Sequence, residues 1–381
     1  MIKLSTLIAI ALIAGAVFIG GVYIYQASEK DLKISSSAKK LGSSALLIEE
    51  AAKELKNAPS QEKSYLTLLQ LETKLKELPP EEAEAIITDY LNTGEDVHTQ
   101  LQFLIDTTGF LETAPTLRVF LLDQQGAIAP EAAARYSKKV TGATNAPDEW
   151  AIALRNYARE LKTPPEDDTF LKTKLEALLT HAAWTEAPTL GYLQAYDLIV
   201  FCGGGSFIPE LSKQIETPPN PAAQYAAHLT LDRLAIRDYV TTAQEMLDNM
   251  SALQHSPKVR GPIFARADVR DPQQRKLLKD YLLEKNLSEA ELNAFAESFP
   301  NINLKISFNL ITQEKKDPLS LHAEQERASL AMIEELQKNE ALSETQNTAF
   351  TALQKRLVAV NKAIDREKKD GSQPNQPKDT Q

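Results

Sequence analysis

From position 45 onward the chain repeats one theme: a helix-length run with apolar positions three and four apart, then a break holding Pro, Gly or Asn. That spacing lays an apolar stripe along a helix, whereas a half-buried strand needs alternation. Leu68, Leu69, Leu71, Leu75 and Leu78 precede Pro79-Pro80, and Glu81, Glu82 and Glu84 follow. Proline is tolerated at a first helical position, and carboxylates in a first turn meet the positive end of the helix dipole. Pro164-Pro165 before Glu166, Asp167 and Asp168 repeats the device, as does Pro218-Pro219-Asn220-Pro221 before Tyr225, Leu229, Leu231 and Leu234. No segment reads as a strand. Residues 201–208 are interrupted by three consecutive Gly, and residues 302–311 alternate over only part of their length.

Short helices joined by tight breaks bury their apolar faces only against neighbours. The expected fold is therefore all-α: an α-solenoid-like stack of antiparallel helix pairs over residues 45–317. The chain of 381 residues is long enough to bury such a core, and its single cysteine excludes an internal disulfide framework. Ahead of the stack, residues 4–25 carry no charge. As a helix they would span about 33 Å, which matches a bilayer core of roughly 30 Å. Residues 1–27 read as an uncleaved transmembrane signal anchor, because the run exceeds a secretory apolar region and small residues are badly placed for cleavage. Ser- and Lys-rich residues 28–44 read as a linker.

Orientation rests on two opposed signals. Lys30, Lys33, Lys39 and Lys40 after the span favour a cytoplasmic body, whereas a short basic amino terminus followed by an apolar run is the usual export layout. The expectation adopted is an exported body on a single-pass anchor, with the cytoplasmic body as the alternative. At the other end, residues 318–369 open on Pro318 and contain neither Pro nor Gly after it. There Phe350, Leu353, Leu357, Val360 and Ile364 form a short heptad seam, which predicts a longer amphipathic helix that docks on the stack or supports homo-association. Residues 370–381 read as a disordered tail.

The segment running from Tyr192 through Asp197, Cys202, Gly203-Gly204-Gly205 and Ile208-Pro209-Glu210-Leu211 resembles one unit of the HEAT-type helical repeat family. An apolar first helix ends at a Gly-rich turn and an Ile-Pro-x-Leu step enters the second. Residues 116–140 resemble a second unit, with Gly126 in its turn. The resemblance spans residues 95–312, concerns the fold alone and implies a scaffold or binding surface, with nothing catalytic in it.

Chemistry is sparse. The five His have no i, i+4 pair for zinc, one Cys forms no thiolate cluster, and no Gly-x-Ser-x-Gly elbow is present. Gly203-Gly204-Gly205-Ser206 lacks the Lys-Ser/Thr ending of a phosphate loop and reads as a turn. Cys202, in an apolar run, reads as a small buried hydrophobe, and Trp150 and Trp184 as core fillers. No catalytic, cofactor or metal residue is assigned. A net charge of −10 argues against nucleic acid as a partner.

One segment departs from this acidic background. Residues 255–275 hold Lys258, Arg260, Arg266, Arg270 and Arg275 against Asp268 and Asp271, together with three Pro and one Gly. They read as a long loop, with Ile263 and Phe264 as an apolar anchor beside Arg side chains suited to an acidic protein partner. The competing expectation pairs these Arg with acidic neighbours inside the stack. Taken together, the sequence predicts a membrane-tethered, non-enzymatic scaffold. The alternative is an accessory hydrolase or transferase whose site is assembled from residues scattered along the chain.

Overall fold

The computed structural model describes residues 46–249, 251–284, 286–302, 309–312, 319–339 and 341–370. The expected anchor, linker and tail lie outside them, Asp370 excepted. Among the described residues no helix is long and apolar enough to cross a membrane. The described residues divide into two compact units, those up to 101 with 114–129 and residues 102–113 with those from 130 onward. The boundary falls inside the stretch expected to form one repeat body.

The described residues are all-α apart from one small hairpin. In the first unit α1 covers residues 46–56, followed by α2 (Gln61–Glu77), α3 (Pro80–Thr93) and α4 (Leu117–Ile128). Ser60 caps α2 by accepting from the Lys63 amide. Pro80 opens α3 as the double proline predicts, and Gly94 ends it at φ 76°. Leu68, Leu71 and Leu75 of α2 are buried where it packs on α3 and α4, whose Ile86, Ile87 and Leu121 are buried too.

The second unit begins with the hairpin, β1 (Leu104–Ile105) against β2 (Leu111–Thr113). It corrects the expectation of no strand, and its cause is the turn. Asp106 accepts from the Thr108 amide at 2.7 Å, the Thr108 hydroxyl at 2.7 Å and the Phe110 amide at 3.0 Å, while Gly109 takes φ 78°. An Asx-type turn of this kind brings the chain back on itself without help from strand propensity.

Helices α5 (Pro130–Ala143), α6 (Pro147–Arg159), α7 (Thr169–Thr180), α8 (Ala182–Glu186), α9 (Leu190–Gln194), α10 (Tyr196–Cys202), α11 (Ile208–Glu216), α12 (Pro221–Arg237) and α13 (Tyr239–Asp248) follow. The unit continues with α14 (Pro257–Phe264), α15 (Pro272–Leu282), α16 (Glu289–Ser298), α17 (Leu319–Leu336) and α18 (Glu344–Asp370). Each packs chiefly on helices close to it in sequence: α5 on α6, α11 on α12, α13 on α15, α14 on α16, and α18 on α16 and α17.

Three expectations are refined here. Gly126 lies inside α4, which ends at Ala129 where Pro130 starts the next helix. The pair expected over residues 116–140 is accordingly replaced by α3 with α4 in one unit and α5 with α6 in the other. The unit around Tyr192 does form helix, Gly turn and helix, but its first helix is divided at Ala195, and Gly203 and Gly204 adopt φ 70° and 83°. Finally, the carboxy-terminal region is two helices, and the first three residues of the α18 seam, Phe350, Leu353 and Leu357, are buried where α18 packs on α16 and α17, while Val360 and Ile364 are half-buried.

Candidate functional site

The basic segment is mostly helical, which corrects the expected long loop. Pro257 stands at the first helical position of α14, where its missing amide hydrogen costs nothing. Pro262 lies inside α14, a position that normally disfavours a helix. Packing outweighs it: Phe264 stacks on Tyr281 with ring centroids 3.8 Å apart, and Gly261 lets α14 approach the backbone of Glu291 and Phe295 closely enough that a Cβ would clash. Beyond a short connection, Asp271 caps α15 by accepting from the Gln273 and Gln274 amides.

The seven candidate residues do not form a common surface. Ile263 and Phe264 are 1% and 0% exposed and belong to the core. Arg260 is buried, donating to Glu291 at 2.7 Å with Glu284 at 3.7 Å, and it lies over the rings of Phe264 and Tyr281. The Tyr281 hydroxyl donates to the same Glu291 oxygen at 2.9 Å. Burial holds the Glu284 carboxyl above the usual carboxylate range, opposed by the Arg260 charge.

Arg266 grips Asp232 with two parallel hydrogen bonds of 2.8 and 2.6 Å and donates to the Asn301 carbonyl at 2.7 Å. Arg270 chelates Asp268 and reaches Glu324 of α17 at 3.3 Å. Its hydrogen bonds hold the Asp268 carboxyl below the usual range. Arg275 and Lys279 of α15 both bind Glu335 of α17. Lys258 is exposed. The four Arg thus join α14 and α15 to α12, α16 and α17, and the guanidinium forks meet carboxylates of this chain.

A second ionic centre was invisible in the sequence. Asp197 of α10 and Arg233 of α12 pair at 2.7 Å with both side chains almost wholly buried. The other Asp197 oxygen accepts from the Ile311 and Thr312 amides at 2.6 and 2.8 Å. The Thr312 hydroxyl bonds the same pair, so residues 309–312 are pinned to two helices. A charge so placed needs every lone pair engaged, and here it has that.

The remaining polar features are also structural in their contacts. Cys202 is buried with its thiol pushed up to about 11 by desolvation. Trp150 and Trp184 meet edge to face at 5.2 Å, and their ring N–H groups donate to the Thr144 and Asn145 carbonyls. Among the described residues no group of three or more His, Cys, Asp or Glu is placed to hold a metal ion.

What the sequence reading missed lies on α2. Tyr65, Leu66 and Leu69 are 43%, 43% and 45% exposed, and at helical spacing they form one stripe opposite the buried Leu68, Leu71 and Leu75. The signal was present: seven apolar residues between 65 and 78 exceed what a single core-facing stripe of a four-turn helix holds. No family model matches the chain, and comparison with curated proteins and with solved structures found no match.

Proposed function

We propose that this chain is a membrane-tethered, non-enzymatic scaffold that holds a partner protein on its helical surface, in an α-solenoid-like arrangement of the HEAT type. The observation that carries the reading is the α2 stripe, where Tyr65, Leu66 and Leu69 keep apolar area in contact with water on the side away from the core. Single exposed leucines are ordinary, but three adjacent large apolar side chains on one helix face are a cost unless something covers them. Glu62, Glu72 and Lys76 rim the stripe. Its complement is an amphipathic helix of the partner, with apolar side chains ringed by charge. Near-neighbour helix packing supports the repeat-like surface, and the uncharged residues 4–25 supply the tether. The body is proposed to be exported, with the cytoplasmic orientation distinguished by protease accessibility in intact spheroplasts.

The test is site-specific photocrosslinking in the native membrane. A probe at Leu69 should capture one partner, capture should be lost in Leu66→Glu, and a probe at the exposed Ile236 of α12 should not capture it. Deleting residues 1–27 should release the body from the membrane fraction. Equal capture from both probes, or turnover of a small molecule by the isolated chain, would overturn the scaffold reading.

A further inference from the structure

At the edge of α5 and α6 lies an open cleft of about 400 Å3, within the size range of small-molecule sites. Arg135 and Lys138, three residues apart, share a face of α5, and Lys162 reaches the same cleft from the connection after α6. Lys138 lies over the rings of Tyr157 and Phe170 at 5.4 and 5.3 Å, and among the described residues neither it nor Lys162 has a carboxylate at ion-pair distance. Arg135 has only a 4.0 Å approach to the exposed Glu131.

The acidic wall of the cleft is largely engaged. One Asp168 oxygen caps α7 by accepting from the Leu171 amide at 2.7 Å, and the other accepts from the Tyr157 hydroxyl at 3.0 Å. That leaves Glu160 as the uncommitted carboxylate lining the cleft, against three cations, in a chain whose net charge is −10. The four Arg of residues 255–275 have carboxylate partners within the chain, whereas these lysines have no carboxylate at ion-pair distance and line a concavity that Tyr157 also lines.

We propose that this cleft binds a small organic anion, a carboxylate or phosphate monoester on an apolar body. Lys138, Lys162 and Arg135 take the anionic group, and the body lies against Tyr157. Charges of one sign that line a concavity focus their field on it and raise the local concentration of an anion there. The inference is independent of the tether and of the α2 stripe.

Isothermal titration of the full-length chain tests it, with phenyl phosphate and benzoate as probes and benzyl alcohol as the uncharged counterpart. At least one anion should bind, and the preference between them identifies the head group. The alcohol should not bind. Lys138→Glu and Lys162→Glu should each weaken binding about tenfold or more, the loss of one charge-assisted hydrogen bond. Their circular dichroism should be unchanged, since both side chains are exposed. Arg135→Ala, a change without charge reversal, should also weaken binding, whereas Lys276→Glu on α15 should not. Absence of binding by both anions, equal binding of the alcohol, or equal weakening by Lys276→Glu would overturn the proposal.

Discussion

Asp197 and Arg233 form an ion pair of 2.7 Å between α10 and α12 from which water is excluded, and Thr312 hydrogen-bonds to both. Removing one partner leaves a buried charge unmatched. Asp197→Ala is expected to destabilise the fold by about 3–5 kcal/mol, read from denaturant unfolding. Replacing both residues with apolar side chains of similar volume should recover part of that loss. Equal instability of the single and double variants would show that hydrogen bonds to residues 311 and 312, rather than charge matching, dominate.

The basic segment supplies an internal comparison. Arg260→Ala strands Glu291 in the core with only the Tyr281 hydroxyl as donor, and a loss of about 3–5 kcal/mol is expected. Lys258→Glu, two residues away and exposed, should stay within about 0.5 kcal/mol of the parent. Comparable melting temperatures for the two variants would place Arg260 at the surface.

Leucines of α2 separate by burial, not by type. Leu71→Ala should cost about 2–5 kcal/mol through lost contacts and a cavity, whereas Leu69→Glu should change stability by no more than about 0.5 kcal/mol. If Leu69→Glu unfolds the chain, the stripe is part of a core and is not free to receive a partner.

Two glycines with nearly the same backbone conformation should respond differently to alanine. Gly94 has φ 76° with open space where a Cβ would stand, so Gly94→Ala should cost about 1–2 kcal/mol of left-handed strain alone. Gly109 has φ 78° with the Leu310 carbonyl in that space, so Gly109→Ala should cost about 1–3 kcal/mol more. Thermal unfolding of the two variants measures the difference.

Cys202 predicts a pH dependence. Desolvation raises its thiol from an ordinary value of 9.0 to about 11, so folding favours the protonated form. The stability this contributes is fully present below about pH 9 and is lost as the pH rises from there toward 11. Cys202→Ala should therefore flatten the stability profile across that window. Iodoacetamide should label the native chain far more slowly than the denatured chain at pH 8.5, and equal rates would show the thiol to be accessible.

The helices were legible because their cause is local. Pro80 and Pro221 at first positions and apolar residues at three and four spacing act within a turn or two of chain, whereas Pro165 opens only a short 3-10 turn and Asp168, expected in a first turn, caps the helix that follows. The Gly203-Gly204 turn was legible for the same reason, since its positive φ values require no contact with anything distant. In residues 257–264 the same local logic misled: two prolines and a glycine argue for a loop, and only the stacking of Phe264 on Tyr281 and the close approach of Gly261 to α16 make a helix there.

Everything that depends on which helices meet was decided by the tertiary structure. A stripe of leucines fixes that α2 buries a face, yet whether Leu69 joins Leu68 or faces water depends on where α3 and α4 lie. Charge on Arg260 and Arg266 could be read from the sequence, but their partners, Glu291 and Asp232, are 31 and 34 residues away. Local spacing specifies a helix and its apolar side, because hydrogen bonding and side-chain direction repeat every few residues. Pairing of charges across helices, and the convergence of Lys138 with Lys162 on one cleft, arise only once long-range packing has brought separate turns of the chain together.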